Sequence, residues 1–395
     1  MKILRVIASM NPEAGGPCQG IRNSIPAMDA LGIYNEVVSF DAPNAAFLGK
    51  DSFTINAIGP AKGPYRYCEN LSGWLQENLS RFDAVIIHGL WLYNGYGTFK
   101  AWQKFKKNNG GKAPAIFIMP HGMLDPYFQK AKERRVKAIR NLFFWHFIEK
   151  KIVNNVTGVL FTCQEELTLA RETFSGYHPK NELNVGYGIT EPPKQIKIDE
   201  SEFFNRFPAI RKNNYMLFLS RVHEKKGVDL LIKGYINLSK NNPDLVPLVI
   251  AGPGIEKEYG KYLQQLVSDA GLENKITFTG MLGGAQKWAA IYNSIFFILP
   301  SHQENFGIAV VEALACGRPV LITNKVNIWR EIEEGNGGLV GDDTQEGTEA
   351  LLEQWFSLTE DQKTLMYTNA YNVYNKHFAS NEVAKNMIST IKKYL

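Results

Sequence analysis

The sequence predicts an α/β protein made of two parallel-sheet units. Three observations carry that expectation. The chain has 395 residues, more than one ordinary hydrophobic core organises. Short apolar runs bounded by Gly, Pro or Ser alternate with helical patterns through both halves, as in parallel strands covered on both faces. A polar, proline-bearing stretch at 190–213, "TEPPKQIKIDESEFFNRFPAIRKN", separates the halves as a linker would.

The elements follow in order. "ILRVIAS", "EVVSF", "AVIIHG", "AIFIMPHG" and "GVLFTC" are the strands expected in the first half. "YMLFLSR", "PLVIAGPG", "KITFTG", "IFFILPS" and "PVLIT" are those of the second. The opening "MKILRVIASM" resembles a leader segment only superficially. It is short, carries Arg5 and runs into a Gly-Pro loop, so it reads as the first buried strand. Val310, Val311, Ala313, Leu314 and Ala315 suit a buried helix that Gly317 closes and Pro319 cannot continue. The expected units are 1–190 and 213–375, joined by a linker at 191–212. A helical tail at 376–395 could pack back on the first unit.

Composition narrows the class. Apolar residues at 45% suffice for sizeable cores. A net charge of +5, from 44 basic and 39 acidic residues, permits contact with phosphates or an anionic membrane without demanding nucleic acid. Four scattered cysteines lack CxxC spacing, which suggests reduced thiols in a cytoplasmic protein. The histidines form no HExxH and there is no DxD triplet, so no metal is expected. No apolar run reaches the length of about 18 residues that a membrane span needs.

Candidate chemistry clusters at strand carboxyl ends, where open α/β sheets bind ligands. Strand ends of both halves would face a shared cleft. In "HQENFGIAVVEALACGRPVLIT", Glu304 precedes a helix whose first amides, Asn305, Phe306, Gly307 and Ile308, would lack partners. Such an end receives anions or sugar hydroxyls, and Gly307 lets a ligand approach. Glu312 lies further along the helix. Seen alone, the two acids read more simply as a cap and a solvated side chain. In "LSRVHEKKG", Arg221 and Lys226 follow a buried strand and lead into a helix. Two cations there suit a diphosphate, or form a solvated basic loop. Gly15 and Gly16 follow the first strand as a phosphate- or sugar-facing loop or a plain turn. The chain has no GxGxxG or GxxxxGK[ST], so dinucleotide redox chemistry and P-loop ATP hydrolysis lose support. His121 ends "AIFIMPH" as a possible hydroxyl partner or a structural histidine. His88, Trp91 and Tyr93 could line an acceptor site or pack in a core. Gly252, Gly254 and Gly280-Met281-Leu282 form strand-end loops, the last able to read a base edge.

Together these residues resemble the family-4 retaining glycosyltransferases over most of the chain. "SHQENFGIAVVEALACGRPVL" is similar to the family's E-x7-E segment, "SRVHEKKG" to its basic phosphate loop and "AGPG" to its central glycine turn. "GGP" and "PHGMLDP" are similar to motifs of bacterial polysaccharide members. The resemblance implies the GT-B fold, two facing Rossmann-like domains with an interdomain cleft. It also implies roles. Arg221 and Lys226 would hold a donor diphosphate, and Glu304 with the Phe306 to Ile308 amides the donor sugar. Glu312 would bind the ribose, Gly16 would approach the diphosphate, and His121 would sit near the transferred sugar. Because Glu312 is assigned to ribose, the two glutamates are not a glycosidase pair.

The resulting expectation is a metal-independent, retaining hexosyltransferase without a cofactor. Its donor would be a nucleotide sugar, UDP-glucose first and GDP-mannose second. Its acceptor would be a glycan or lipid-linked glycan in cell-surface or exopolysaccharide synthesis. A UDP-sugar 2-epimerase of the same fold and a non-catalytic nucleotide-sugar-binding protein are the alternatives. The stretch "QKAKERRVKAIRNLFFWHFIEKKIV" at 129–153 is basic and aromatic. As a helix it could meet the inner face of a membrane, or bury an aromatic stripe beneath a solvated basic face.

Overall fold

A computed structural model describes residues 1–131 and 134–395. The chain divides into one unit of Met1–Gly188 with Ser380–Leu395, and a second of Ile189–Ala379.

The first unit contains β1 (Lys2–Ile7), β2 (Tyr34–Ser39), β3 (Thr54–Ala57), β4 (Ala84–His88), β5 (Ala115–Met119), β6 (Gly158–Phe161) and β7 (Glu182–Asn184). They form one parallel sheet in the order β3-β2-β1-β4-β5-β6-β7. The second unit contains β8 (Met216–Leu219), β9 (Leu248–Ala251), β10 (Ile276–Gly280), β11 (Phe296–Leu299), β12 (Val320–Thr323) and β13 (Gly338–Gly341). Its parallel order is β10-β9-β8-β11-β12-β13. The central strands "AVIIH", "FFIL" and "VLIT" are buried on both faces, so continuous apolar runs replace alternation. In each sheet the order reverses beside the first strand, between β1 and β4 and between β8 and β11. A crevice opens beyond the strand ends at such a reversal.

The ten strands expected from apolar runs all form. Among the described residues three more form, β3, β7 and β13, and each is an edge strand. An edge needs less apolar surface: β3 and β7 are half-buried or exposed throughout, and β13 begins and ends on glycine. The segment 191–212 corrects the irregular linker that was expected. It holds the helix Ser201–Arg206, whose buried Phe203 sets its ring 6.4 Å from that of Tyr215. The segment therefore belongs to the second unit's fold. The tail helix Ser380–Lys392 lies in the first unit, where Ala384, Met387, Ile388 and Ile391 share a core with Ile3, Met28, Ala84 and Ile86.

Helix Ile308–Ala315 ends as its sequence predicts. The Gly317 amide donates to the Leu314 carbonyl at 2.9 Å, and the Arg318 amide to the Ala313 carbonyl at 2.9 Å. These are the paired bonds of a Schellman stop. In the basic stretch 129–153 the short helix Tyr127–Lys130 ends first, and helix Arg135–Phe144, a wider helical turn Trp145–Glu149 and helix Lys150–Val153 then follow one another without a gap. Lys132 and Glu133 of this stretch lie outside the described residues. Among the described residues no helix is long and apolar enough to cross a membrane. All four cysteines are free and buried.

Candidate functional site

In the second unit, β8 and β11 pair side by side, and both their exit loops carry predicted residues. After β8 the chain forms a short turn, Glu224–Lys226, capped by His223 Nδ1, which accepts from the Lys225 amide at 3.1 Å. It then enters helix Val228–Asn241 through Gly227. A Cβ on Gly227 would lie 1.9 Å from the Pro300 carbonyl oxygen, so only glycine lets the two loops touch. Touching exposes the Lys225 carbonyl to two donors of the β11 loop, the His302 amide at 2.9 Å and Ser301 Oγ at 3.0 Å. The loop after β11 is itself anchored. The Glu304 amide donates to Lys325 O and the Asn327 amide to Glu304 O, both at 2.9 Å.

This lattice brings the buried Lys226 ammonium onto Glu304 Oε2. The other carboxylate oxygen accepts the Asn305 amide at 3.1 Å. One expectation is thereby corrected: the Asn305 amide is not without a partner but is occupied by its neighbour's carboxylate. Phe306 is buried with its ring 5.7 Å from Phe378. Gly307 precedes the first helical residue, Ile308. Asn305 Oδ1 and Asn327 Nδ2 are buried without partners, which leaves hydrogen-bonding capacity in these loops. Arg221 is exposed.

Glu312 is not the solvated side chain of the simpler reading. Its Oε1 meets Lys287 Nζ at 2.7 Å, and that ammonium stands 4.0 Å from the Trp288 ring centroid. Gly252 and Gly254 have a structural purpose. Added Cβ atoms would lie 1.8 Å from Ser220 O and 2.6 Å from Val222 O, so these glycines let the β9 exit lie flat on the β8 exit. The Gly280 carbonyl is taken by the Gly252 amide at 2.8 Å. Met281 is exposed and Leu282 buried.

In the first unit, Gly15 precedes helix Gly16–Asp29, and Gly16 is its first residue rather than part of a free loop. Both are exposed, with open space where a Cβ would stand. Tyr187 Oη donates to Gly16 O at 3.0 Å. His88 and His121, at the ends of β4 and β5, lie 2.9 Å apart, Nδ1 to Nε2. His88 is buried, not displayed on an acceptor surface. Burial lowers its pKa far below the ordinary histidine range, aided by His121 and Arg5. Burial and then the Arg5 charge push His121 down to about 3. Arg5, His88, His121 and Tyr187 line a cavity of about 20 Å³. Trp91 and Tyr93 are core-facing aromatics, with Trp91 5.6 Å from Phe174 and Tyr93 4.7 Å from Tyr67 by ring centroid.

Two residues, Glu149 and Glu166, escaped sequence reasoning. Trp91 and His121 both have left-handed backbones, φ 69° and 54°, which are uncommon for such side chains. A buried glutamate holds each loop. Glu149 Oε1 accepts the Trp91 amide at 2.8 Å. Glu166 accepts the Gly122 amide and, at 2.8 Å, the Thr162 amide. Burial raises both carboxyl pKa values, that of Glu149 up to about 7. Buried acids within helical segments were the available signal, but their partners lie 58 and 44 residues away in sequence.

Two outcomes follow from this geometry. In urea unfolding, Lys226→Met and Glu304→Leu should be non-additive by about 0.5–3 kcal/mol, because each leaves the other polar group unpaired. Additive losses would deny the pair. Glu149 holds a proton in the folded state up to about pH 7 that the unfolded chain releases near its ordinary value of about 4.3. Stability must fall as pH rises through that window. Glu149→Gln keeps an acceptor for Trp91 and removes the ionisation. Its stability relative to wild type should therefore climb between those values, and a constant difference would refute the assignment.

Residues 199–373 match the family described as glycosyl transferases group 1. Mannosylfructose-phosphate synthase of Agrobacterium fabrum is 30% identical over 158 residues, covering 36% of this chain and 35% of that protein. The chain spans 35 to 39% of the length of the first curated relatives it matches. Sucrose-phosphate synthase from Thermosynechococcus elongatus superposes with a TM-score of 0.71 at 17% identity, over 99% of this chain and 98% of that one. Anabaena HepE, solved with UDP and glucose, superposes with a TM-score of 0.69 at 18% identity over 100% of both chains. The fold is thus GT-B, and residues 199–373 are similar to the group 1 glycosyl transferases.

Proposed function

We propose that this protein is a retaining, metal-independent hexosyltransferase. It takes a hexose from a nucleotide sugar, UDP-glucose ahead of GDP-mannose, and delivers it to a glycan or lipid-linked acceptor in cell-surface or exopolysaccharide synthesis. One observation carries the proposal: the Arg221–Lys226 loop and the Glu304 loop are bonded together at the reversal of the second sheet. Breaking a glycosyl–phosphate bond leaves negative charge on the departing diphosphate. Arg221 and Lys226 supply fixed positive charge for it, and the amide end of helix Ile308–Ala315 adds to that field. Glu304 accepts from sugar hydroxyls, with Asn305 Oδ1 as a further acceptor. Glu312 turns from Lys287 toward the ribose hydroxyls. The Gly280–Leu282 backbone meets the base. The resemblance alone assigns Gly15 and Gly16 to the donor and His121 to the transferred sugar. HepE, a fold neighbour solved with UDP and glucose, supports a uridine donor.

Thermal-shift measurements with UDP-glucose, GDP-mannose and an ADP-sugar test the donor, because a ligand of the folded state alone raises its stability. UDP-glucose should give the largest shift. Arg221→Ala, at an exposed position, should leave the melting temperature of the free protein unchanged and reduce that shift. Glu304→Ala should lower transfer about 100-fold or more. Wild-type turnover by Glu304→Ala, or isomerised UDP-sugar without glycan growth, would defeat the transferase assignment.

A further inference from the structure

We propose that the outer face of the segment 135–153 docks on an anionic lipid surface. Helix Arg135–Phe144 turns Ala138 and Asn141 inward, and Trp145 and Glu149 continue that buried side through the wider turn. The opposite side is left apolar. Val136, Ile139, Leu142, Phe143 and Phe147 are between 54 and 83% exposed. Their spacing of three, three, one and four residues places them along one helical stripe. Phe143 and Phe147 stack with centroids 6.5 Å apart and planes at 7°, forming a flat double ring at the end of the stripe.

A contiguous apolar row of this kind marks an interaction surface, and the charges beside it identify the partner. Arg135, Lys137, Arg140 and Lys151 are exposed on the same segment. Among its described residues the one acid is Glu149, which is buried and holds the Trp91 amide. The solvent face of 135–153 therefore carries cations and apolar groups without a counter-charge of its own. A second copy docking symmetrically would set this face against itself, cation against cation. A bilayer of anionic lipids satisfies both features, since acyl chains receive the aromatic stripe and headgroup phosphates receive the cations. Lys and Arg stems are long enough to reach the headgroups while the stripe inserts.

The test is co-sedimentation of the whole protein with phosphatidylglycerol-containing vesicles and with pure phosphatidylcholine vesicles, at low and high salt. Binding should be confined to the anionic vesicles and weaken as salt rises. Phe143→Ser with Phe147→Ser should lower the vesicle affinity about tenfold or more. Arg135→Glu with Lys137→Glu and Arg140→Glu should do the same. All five side chains are exposed, so melting temperatures should stay at the wild-type value. Absence of binding to anionic vesicles at low salt overturns the proposal. Equal binding to both vesicle types also overturns it. So does concentration-dependent self-association that the phenylalanine variants abolish while vesicles stay unbound. None of these outcomes bears on sugar transfer, which is measured separately.

Discussion

Lys226 is the point on which the second unit's loops converge. Its ammonium is almost fully enclosed, and an enclosed cation without a counter-charge costs several kcal/mol. Glu304 offsets part of that cost, but only because other contacts bring it there. Gly227 permits the approach to Pro300, and the Lys225 carbonyl collects two donors from the opposite loop. The ion pair and the backbone contacts depend on each other. Loss of either one loosens the junction between the ends of β8 and β11, where the sheet order reverses.

The first unit meets the same demand with different chemistry. Its strand-end loops bend through left-handed residues at Trp91 and His121. Such backbone costs about 1–3 kcal/mol per residue and persists where the surroundings over-determine it. Glu149 and Glu166 provide the determination, each accepting a main-chain amide within or next to the strained residue. A carboxyl group suits this task because one of its oxygens accepts the amide whether or not the group holds a proton. The consequence is a titratable group beneath each loop. In that way loop geometry in this unit is linked to protonation.

The sheets were legible in the sequence because their central strands are buried on both faces, so "AVIIH", "FFIL" and "VLIT" stand out as unbroken apolar runs. Edge strands such as Glu182–Asn184 have no such run, and pairing alone defines them. Locally encoded features were also readable. The stop at Gly317 and the helix entry at Val228 depend on residues a few positions apart. The site was legible as a set of residue types and illegible as a set of bonds. Lys226 and Glu304 are 78 positions apart, and Glu312 and Lys287 are 25 apart. No periodicity relates such pairs. Gly252 and Gly254 show the opposite error. They look like ligand loops in sequence, yet the close approach they allow is to Ser220 and Val222.

That last distinction bears on whether the Lys226–Glu304 pair is itself only packing. For stability alone, an enclosed ion pair is a poor device, because two apolar side chains of similar volume hold a junction at least as well without desolvating charge. Two unpartnered amide atoms, Asn305 Oδ1 and Asn327 Nδ2, would be a further cost with no return. Charge, spare hydrogen-bonding capacity and a helix start gathered at one sheet reversal are expensive as architecture, and the proposed function gives them a use. Under that proposal a diphosphate would take over the role of counter-charge to Lys226, and Glu304 would be released from the ammonium to accept from hydroxyl groups.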